Sequence, residues 1–110
     1  MSRSARKAQR QIDLENAPVP SKNYISMDKE QVERAFQVAR EAYMKRSRGE
    51  IAHWQDIAKL LKEEFDTSFK GSKAWNCIVG KSFGSFVSFN TKDMAYFHIA
   101  EMGVMLWKHG

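Results

Sequence analysis

Apolar residues in this chain recur first with a helical period and then with a strand period, and the change falls after Phe65. Val32, Ala35, Phe36, Ala39, Ala42 and Tyr43 are spaced so that one side of a helix collects them all. Asp28 stands just ahead of this run, with Gln31 placed to complete a capping box, so the first helix starts there. Ile51, Trp54, Ile57, Ala58, Leu61 and Phe65 repeat the pattern and predict a second helix. The stretch between them, Lys45-Arg46-Ser47-Arg48-Gly49, reads as a polar turn in which Ser47 and Glu50 offer a second capping box. Beyond Phe65 come four short runs rich in aromatic and β-branched residues: Trp75 to Val79, Phe83 to Phe89, Met94 to Ile99 and Val104 to Trp107. Gly80-Lys81, Asn90-Thr91-Lys92-Asp93 and Ala100-Glu101-Met102-Gly103 separate them, as turns separate antiparallel strands. The fold class is therefore α+β, with two helices packed on an antiparallel sheet.

The stretch ahead of these elements reads differently. From Met1 to Asn16 the chain is polar and basic, with Ile12 and Leu14 its large aliphatics. Such composition favours a disordered tail, with a short helix or arm docking on a partner as the sharper alternative. A transit peptide is disfavoured by Asp13 and Glu15. Ala17-Pro18-Val19-Pro20 follows as an extended linker, because each proline disfavours helix in the residue before it. The chain thus divides into a basic flexible N-terminal tail with its proline linker, residues 1–21, and a folded domain, residues 22–110. Charge follows the same division. Arg3, Arg6, Lys7, Arg10 and Lys22 against Asp13 and Glu15 give the first 22 residues +3 of the total +5. A basic excess placed in a tail argues against a nucleic-acid surface on the domain itself.

Within 110 residues a single domain buries only about two-thirds of its unfolded surface, so a thin core would gain from dimerisation. No apolar run is long enough to span a membrane, and none near Met1 resembles a secretory signal. Cys77 is the one cysteine, which rules out a disulfide within the chain and fits a reducing compartment.

Groups for catalysis do not converge. His53, His98 and His109 lack metal-ligand spacing with one another or with Cys77. Cys77 lies in an apolar strand, where a free thiol is ordinarily inert core. Gly80-Lys81-Ser82 has the end of a phosphate-binding loop without its earlier glycine, and a strand follows it instead of a helix. Glu63, Glu64 and Asp66 read as a solvated helix face. The expectation is a non-enzymatic protein with no cofactor and no metal.

One strand needs a different explanation. In Ser82-Phe83-Gly84-Ser85-Phe86-Val87-Ser88-Phe89, one side presents Phe83, Ser85, Val87 and Phe89, and the other Gly84, Phe86 and Ser88. Neither side carries a charge, so neither is suited to water. Gly84 allows another chain to approach closely. An uncharged strand is an aggregation hazard unless its edges are covered, and strand addition by another chain covers them.

This same region resembles a known family. Trp75-Asn76-Cys77-Ile78-Val79-Gly80-Lys81-Ser82-Phe83-Gly84-Ser85-Phe86-Val87 is similar to the signature W-H-C-I-V-G-R-N-F-G-S-Y-V of the smallest dynein light chains. The likeness extends back through Asp56-Ile57-Ala58 and Lys62-Glu63-Glu64-Phe65-Asp66. It runs forward through Thr91-Lys92, Tyr96-Phe97 and Leu106-Trp107-Lys108 to Gly110.

The resemblance implies a strand-swapped two-fold dimer, with the Phe83–Phe89 strand of each subunit joining the other's sheet. Its interface would include Trp75, Asn76, Phe83, Ser85 and Val87. Each of two grooves would take an extended partner segment as an added strand. Gln55, Ser82, Phe83, Gly84, Ser85, Phe86, Val87, Ser88 and Phe89 would form the groove wall, with Met94, Tyr96 and His98 beneath. Implied partners are segments of dynein intermediate or heavy chains, and a second copy or a sister light chain, with no nucleic acid and no membrane. The implied role is a non-catalytic light chain of a dynein motor in the cytoplasm and cytoskeleton, with a ciliary or flagellar axoneme as a more specific setting. A dimerisation hub for disordered proteins outside dynein is the alternative.

Departures from the pattern are concentrated at the groove. The family usually has lysine at Gln55, tyrosine at Phe86, threonine at Ser88, histidine at Phe89, tyrosine at His98 and histidine at Asn76. The turn between the helices is also longer, and residues are added near Gly71-Ser72. These changes put the family's threonine-glutamine-threonine peptide preference in question and point to a specialised paralogue.

Overall fold

A computed structural model of the chain describes residues 2–69, 74–81 and 93–108. Its elements, in chain order, are α1 (Arg3–Asn16), β1 (Ser21–Ile25), α2 (Lys29–Ser47), α3 (Trp54–Ser68), β2 (Trp75–Lys81), β3 (Met94–Ile99) and β4 (Met102–Lys108). The expected strand over Phe83–Phe89 lies outside the described residues, as does the Gly71-Ser72 insertion. The described strands form one antiparallel sheet in the order β1-β3-β4-β2. The architecture is α+β, with helices packed on an antiparallel sheet.

The apolar stripes of α2 and α3 do what their periods require. Ala35, Val38, Ala39 and Ala42 of α2, and Ile57, Leu61 and Phe65 of α3, are buried against Ala95, Phe97, Ile99, Val104 and Leu106 of the sheet. Rings fix the packing at two points. Phe36 meets Phe97 edge to face at 4.8 Å, and Phe65 meets Trp75 likewise at 4.9 Å. Small alanines on α2 let it approach the sheet closely, while the larger α3 residues fill the space over β2.

Helix α2 starts where the capping box predicts, with the Asp28 N–H donating to Gln31 Oε1 at 3.3 Å. It runs further than expected, through Ser47, whose hydroxyl donates back to the Tyr43 carbonyl at 3.0 Å. Gly49, at φ 81°, ends it. The Gly49 N–H donates to the Arg46 carbonyl and the Glu50 N–H to the Lys45 carbonyl, a Schellman motif that needs the left-handed residue glycine tolerates. Ser47 and Glu50 therefore form no capping box, and α3 begins at Trp54, not at Ile51. The Arg46 guanidinium lies over the Trp54 ring at 3.5 Å and ties the two helix ends together.

Two elements are absent from the sequence pattern. Where composition points to a tail, the structure has helix α1, capped by Ser2 Oγ accepting from the Ala5 N–H at 3.1 Å and packed along α2. Asp13, its side chain 3% exposed, receives Arg48 Nη1 at 2.5 Å and Nη2 at 3.3 Å. Arg40 Nη2 donates to the carbonyls of Leu14 and Ala17, at 2.8 and 2.9 Å. Strand β1 then pairs with β3, with a bulge between Lys22 and Tyr24. At the other end of β3, a two-residue turn, Ala100-Glu101, leads into β4, with Ala100 at φ 51°.

Candidate functional site

Strand alternation sorts the sheet's side chains onto two faces, and the register shows which residues share each. Trp75, Val79, Ala95, Phe97, Ile99, Met102, Val104 and Leu106 face the helices and belong to the core. The other face is built from cross-strand neighbours: Asn76 opposite Trp107, Ile78 opposite Met105, and Gly80 opposite Gly103. Continuing across it, Met94 pairs with Trp107, Tyr96 with Met105 and with Tyr24, and His98 with Gly103. This outer face contains no aspartate, glutamate, lysine or arginine at these positions. Ile78 is 50% exposed at its centre, an unusual setting for a large aliphatic. Helices α2 and α3 pack on the opposite side and α1 packs on α2.

The outer face adjoins the end strand of the described sheet. β2 is the outermost strand beside β4, bonded to it from Trp75↔Lys108 to Lys81↔Met102. Among the described strands none pairs with its other side, and an end strand of this kind is where a further strand is added.

The structure places the predicted site residues unequally. Asn76, Met94, Tyr96 and His98 all lie on the outer face; Met94 is buried and the other three are half-buried. His98 Nδ1 is 2.7 Å from Asn23 Oδ1, and its ring lies 5.5 Å from that of Tyr96. Trp75, expected at an interface, is instead 0% exposed on the helix side. Its indole N–H donates to the Phe69 carbonyl at 3.3 Å and its backbone N–H to Asp66 Oδ1 at 2.9 Å. Gln55 is exposed in the first turn of α3, across the sheet from Met94, Tyr96 and His98. Ser82, Phe83, Gly84, Ser85, Phe86, Val87, Ser88 and Phe89 lie outside the described residues.

Ile78, Met105 and Trp107 are functional candidates that the sequence reading passed over. Their signal was present. The β2 and β4 segments are apolar at successive positions, so that both faces are apolar.

Titratable groups near this region serve the fold. Burial pushes the Cys77 thiol up to about 12, which leaves no thiolate near neutrality. Glu64 and Asp66 are not simply a solvated face. Glu64 accepts from Arg34 Nε at 2.9 Å, and this hydrogen bond holds its carboxyl below the usual range. Asp66 is held low by Lys62 and then by the Trp75 N–H. No group of three or more His, Cys, Asp or Glu that could hold a metal ion occurs among the described residues.

A sequence model of the family described as dynein light chain type 1 matches residues 20–109. The chain belongs to the dynein light chain family. Solved structures share its fold. The dynein light chain-like domain of the Fasciola hepatica calcium binding protein FhCaBP2, in its native crystal form, superposes with a TM-score of 0.68 at 12% identity, covering 86% of this chain and 95% of that one. A mercury derivative of the same domain gives 0.66 at 13% identity, covering 84% and 93%. The DLC like domain of CsTAL3 gives 0.53 at 17% identity, covering 81% and 90%. At these identities the likeness is one of fold. Membership in the family supports a light-chain or dimerising-adaptor role in general terms; such chains are generally non-catalytic and associated with the cytoskeleton. Among the described residues no helix is long and apolar enough to cross a membrane.

Proposed function

We propose that this light chain pairs two copies through the outer sheet face and uses the resulting grooves to bind extended segments of partner chains as added strands, as a non-catalytic subunit of a dynein motor complex. The observation that carries the reading is an uncharged face, centred on half-exposed Ile78, beside β2, the end strand of the described sheet, in a chain of this family. The swapped strand would be Phe83–Phe89, entering at that edge. A second observation supports a composite site. Gln55 and the Met94, Tyr96 and His98 group lie across the sheet from each other in one chain, so a groove holding both is naturally shared between two protomers. Two grooves acting on two partner chains would raise apparent affinity by ~10²–10⁴ over one. The specialised groove residues favour a dedicated assembly such as an axonemal dynein.

Sedimentation equilibrium tests the pairing. The wild-type chain should be a dimer, and Ile78→Lys, which puts an unpaired charge at the face centre, should be a folded monomer. A monomeric wild type, or an unchanged dimer in Ile78→Lys, overturns the placement. Titration with a dynein intermediate-chain segment, beside unrelated disordered segments, addresses the partner. Binding of the unrelated segments alone would move the assignment to a dimerisation hub outside dynein.

A further inference from the structure

We propose that the cleft between α1 and the C-terminal half of α2 is a second docking site, for an acidic segment of another polypeptide. Helix α1 precedes residues 20–109, the part the family model matches, so one wall of this cleft lies outside the matched domain and the other within it. Helix formation turns the basic composition of α1 into a pattern. Arg3, Arg6, Lys7 and Arg10 fall at the spacing that brings side chains onto one helix face, along about 10 Å of its axis. The helix is held in place by the enclosed Asp13–Arg48 pair and by Arg40 on its last carbonyls. The stripe is therefore presented at a defined position beside α2.

The stripe borders a cleft of about 320 Å³. Arg6, Arg10, Lys45 and Arg48 line it together with Asp13, Glu41 and Glu50. Each of those carboxylates has an ion-pair partner within the chain: Arg48 for Asp13 and Glu50, and Arg10 for Glu41. Arg6 and Lys45 form no ion pair among the described residues, and Lys45 acts on Asp13 only at a distance. Four cations against three carboxylates leave the cleft a net charge of +1, and Arg6 and Lys45 are the cations outside its ion pairs. A stretch of aspartates or glutamates satisfies both while its backbone amides meet the carboxylate rim. A phosphodiester backbone fits less well, because it has no amide N–H to offer Glu41 and Glu50.

Fluorescence anisotropy of the full chain with a labelled oligoglutamate peptide tests the site. Wild type should bind, and Arg6→Glu/Lys45→Glu should weaken binding about tenfold or more. Lys29→Glu/Lys59→Glu, which makes the same change in net charge elsewhere on the helices, should weaken it less than about twofold. Circular dichroism should be unchanged in all three. Should charge reversal disturb α1, Arg6→Gln/Lys45→Gln should still weaken binding relative to Lys29→Gln/Lys59→Gln. No binding by wild type, equal losses in the paired variants, or tighter binding of an oligothymidylate than of the peptide would each overturn the proposal.

Discussion

Replacing Arg48 with alanine should release α1 while leaving the rest of the fold standing. Arg48 supplies the two donors that meet Asp13, at 2.5 and 3.3 Å, and Gln9 Nε2 supplies a third at 3.1 Å. Burial by itself would raise the Asp13 carboxyl, but the hydrogen bonds from Arg48 and Gln9, with the charges of Arg48 and Lys45, outweigh it and hold it below its usual value. Without Arg48 the carboxylate keeps one neutral donor, Gln9. Losing these charge-assisted hydrogen bonds at the helix contact should cost about 1–3 kcal/mol. Undocking is the cheaper response, because the remaining polar ties are Arg40 on two carbonyls and the Arg10–Glu41 pair, whose arginine is exposed. A loss of ~1–3 kcal/mol corresponds to a rise of about five- to a hundredfold in the opening constant. Hydrogen exchange read by mass spectrometry should show that rise in residues 3–16 of Arg48→Ala, with α2, α3 and the sheet protected as before. Acid should act the same way. A carboxyl whose folded pKa is depressed contributes stability above its unfolded value of about 3.9, and that stability is lost as pH falls through the folded value. Protection of α1 should thus hold from pH ~7 to ~5 and fall below ~4. Unchanged exchange of residues 3–16 in Arg48→Ala would refute the role given to this pair.

Three further outcomes follow from local geometry. Asp66→Ala removes the acceptor of the Trp75 N–H, 2.9 Å away, and should cost about 1–3 kcal/mol in denaturant unfolding, with the loss of the Lys62 pair adding little. Ala100→Gly relieves a left-handed residue at φ 51° in the β3–β4 turn and should raise stability by roughly 0.5–1 kcal/mol, read as a higher denaturant midpoint at unchanged slope. Asn76, half-buried on the outer face where the family usually has histidine, is a neutral amide that takes up no proton near neutrality, so the proposed dimer should persist from pH ~7 to ~5 in sedimentation runs; reversible splitting to folded monomers in Asn76→Ala and wild type alike would assign acid sensitivity to another group.

Much of the architecture can be read along the chain because it depends on residues close together in sequence. The periods of α2 and α3, the alternation of β3, and the capping box of Asp28 and Gln31 are each settled within a few residues. The run from Trp75 to Val87 is long and particular enough to carry the family. Other features depend on partners far along the chain. Helix α1 has the composition of a solvated tail, and it becomes an element of the fold because Asp13 meets Arg48 and Arg40 reaches its last carbonyls. Strand β1 is short and polar at Ser21, Lys22 and Asn23, and it exists through its pairing with β3. The start of α3 shifted to Trp54 because Gly49 closes α2 and Arg46 stacks on that ring. The largest decision left to tertiary structure was the facing of β2 and β4. Their segments are apolar on both sides, so alternation alone cannot say which side is core. Docking of α2 and α3 turned Trp75, Val79 and Leu106 inward, and left Ile78, Met105 and Trp107 on the uncharged outer face.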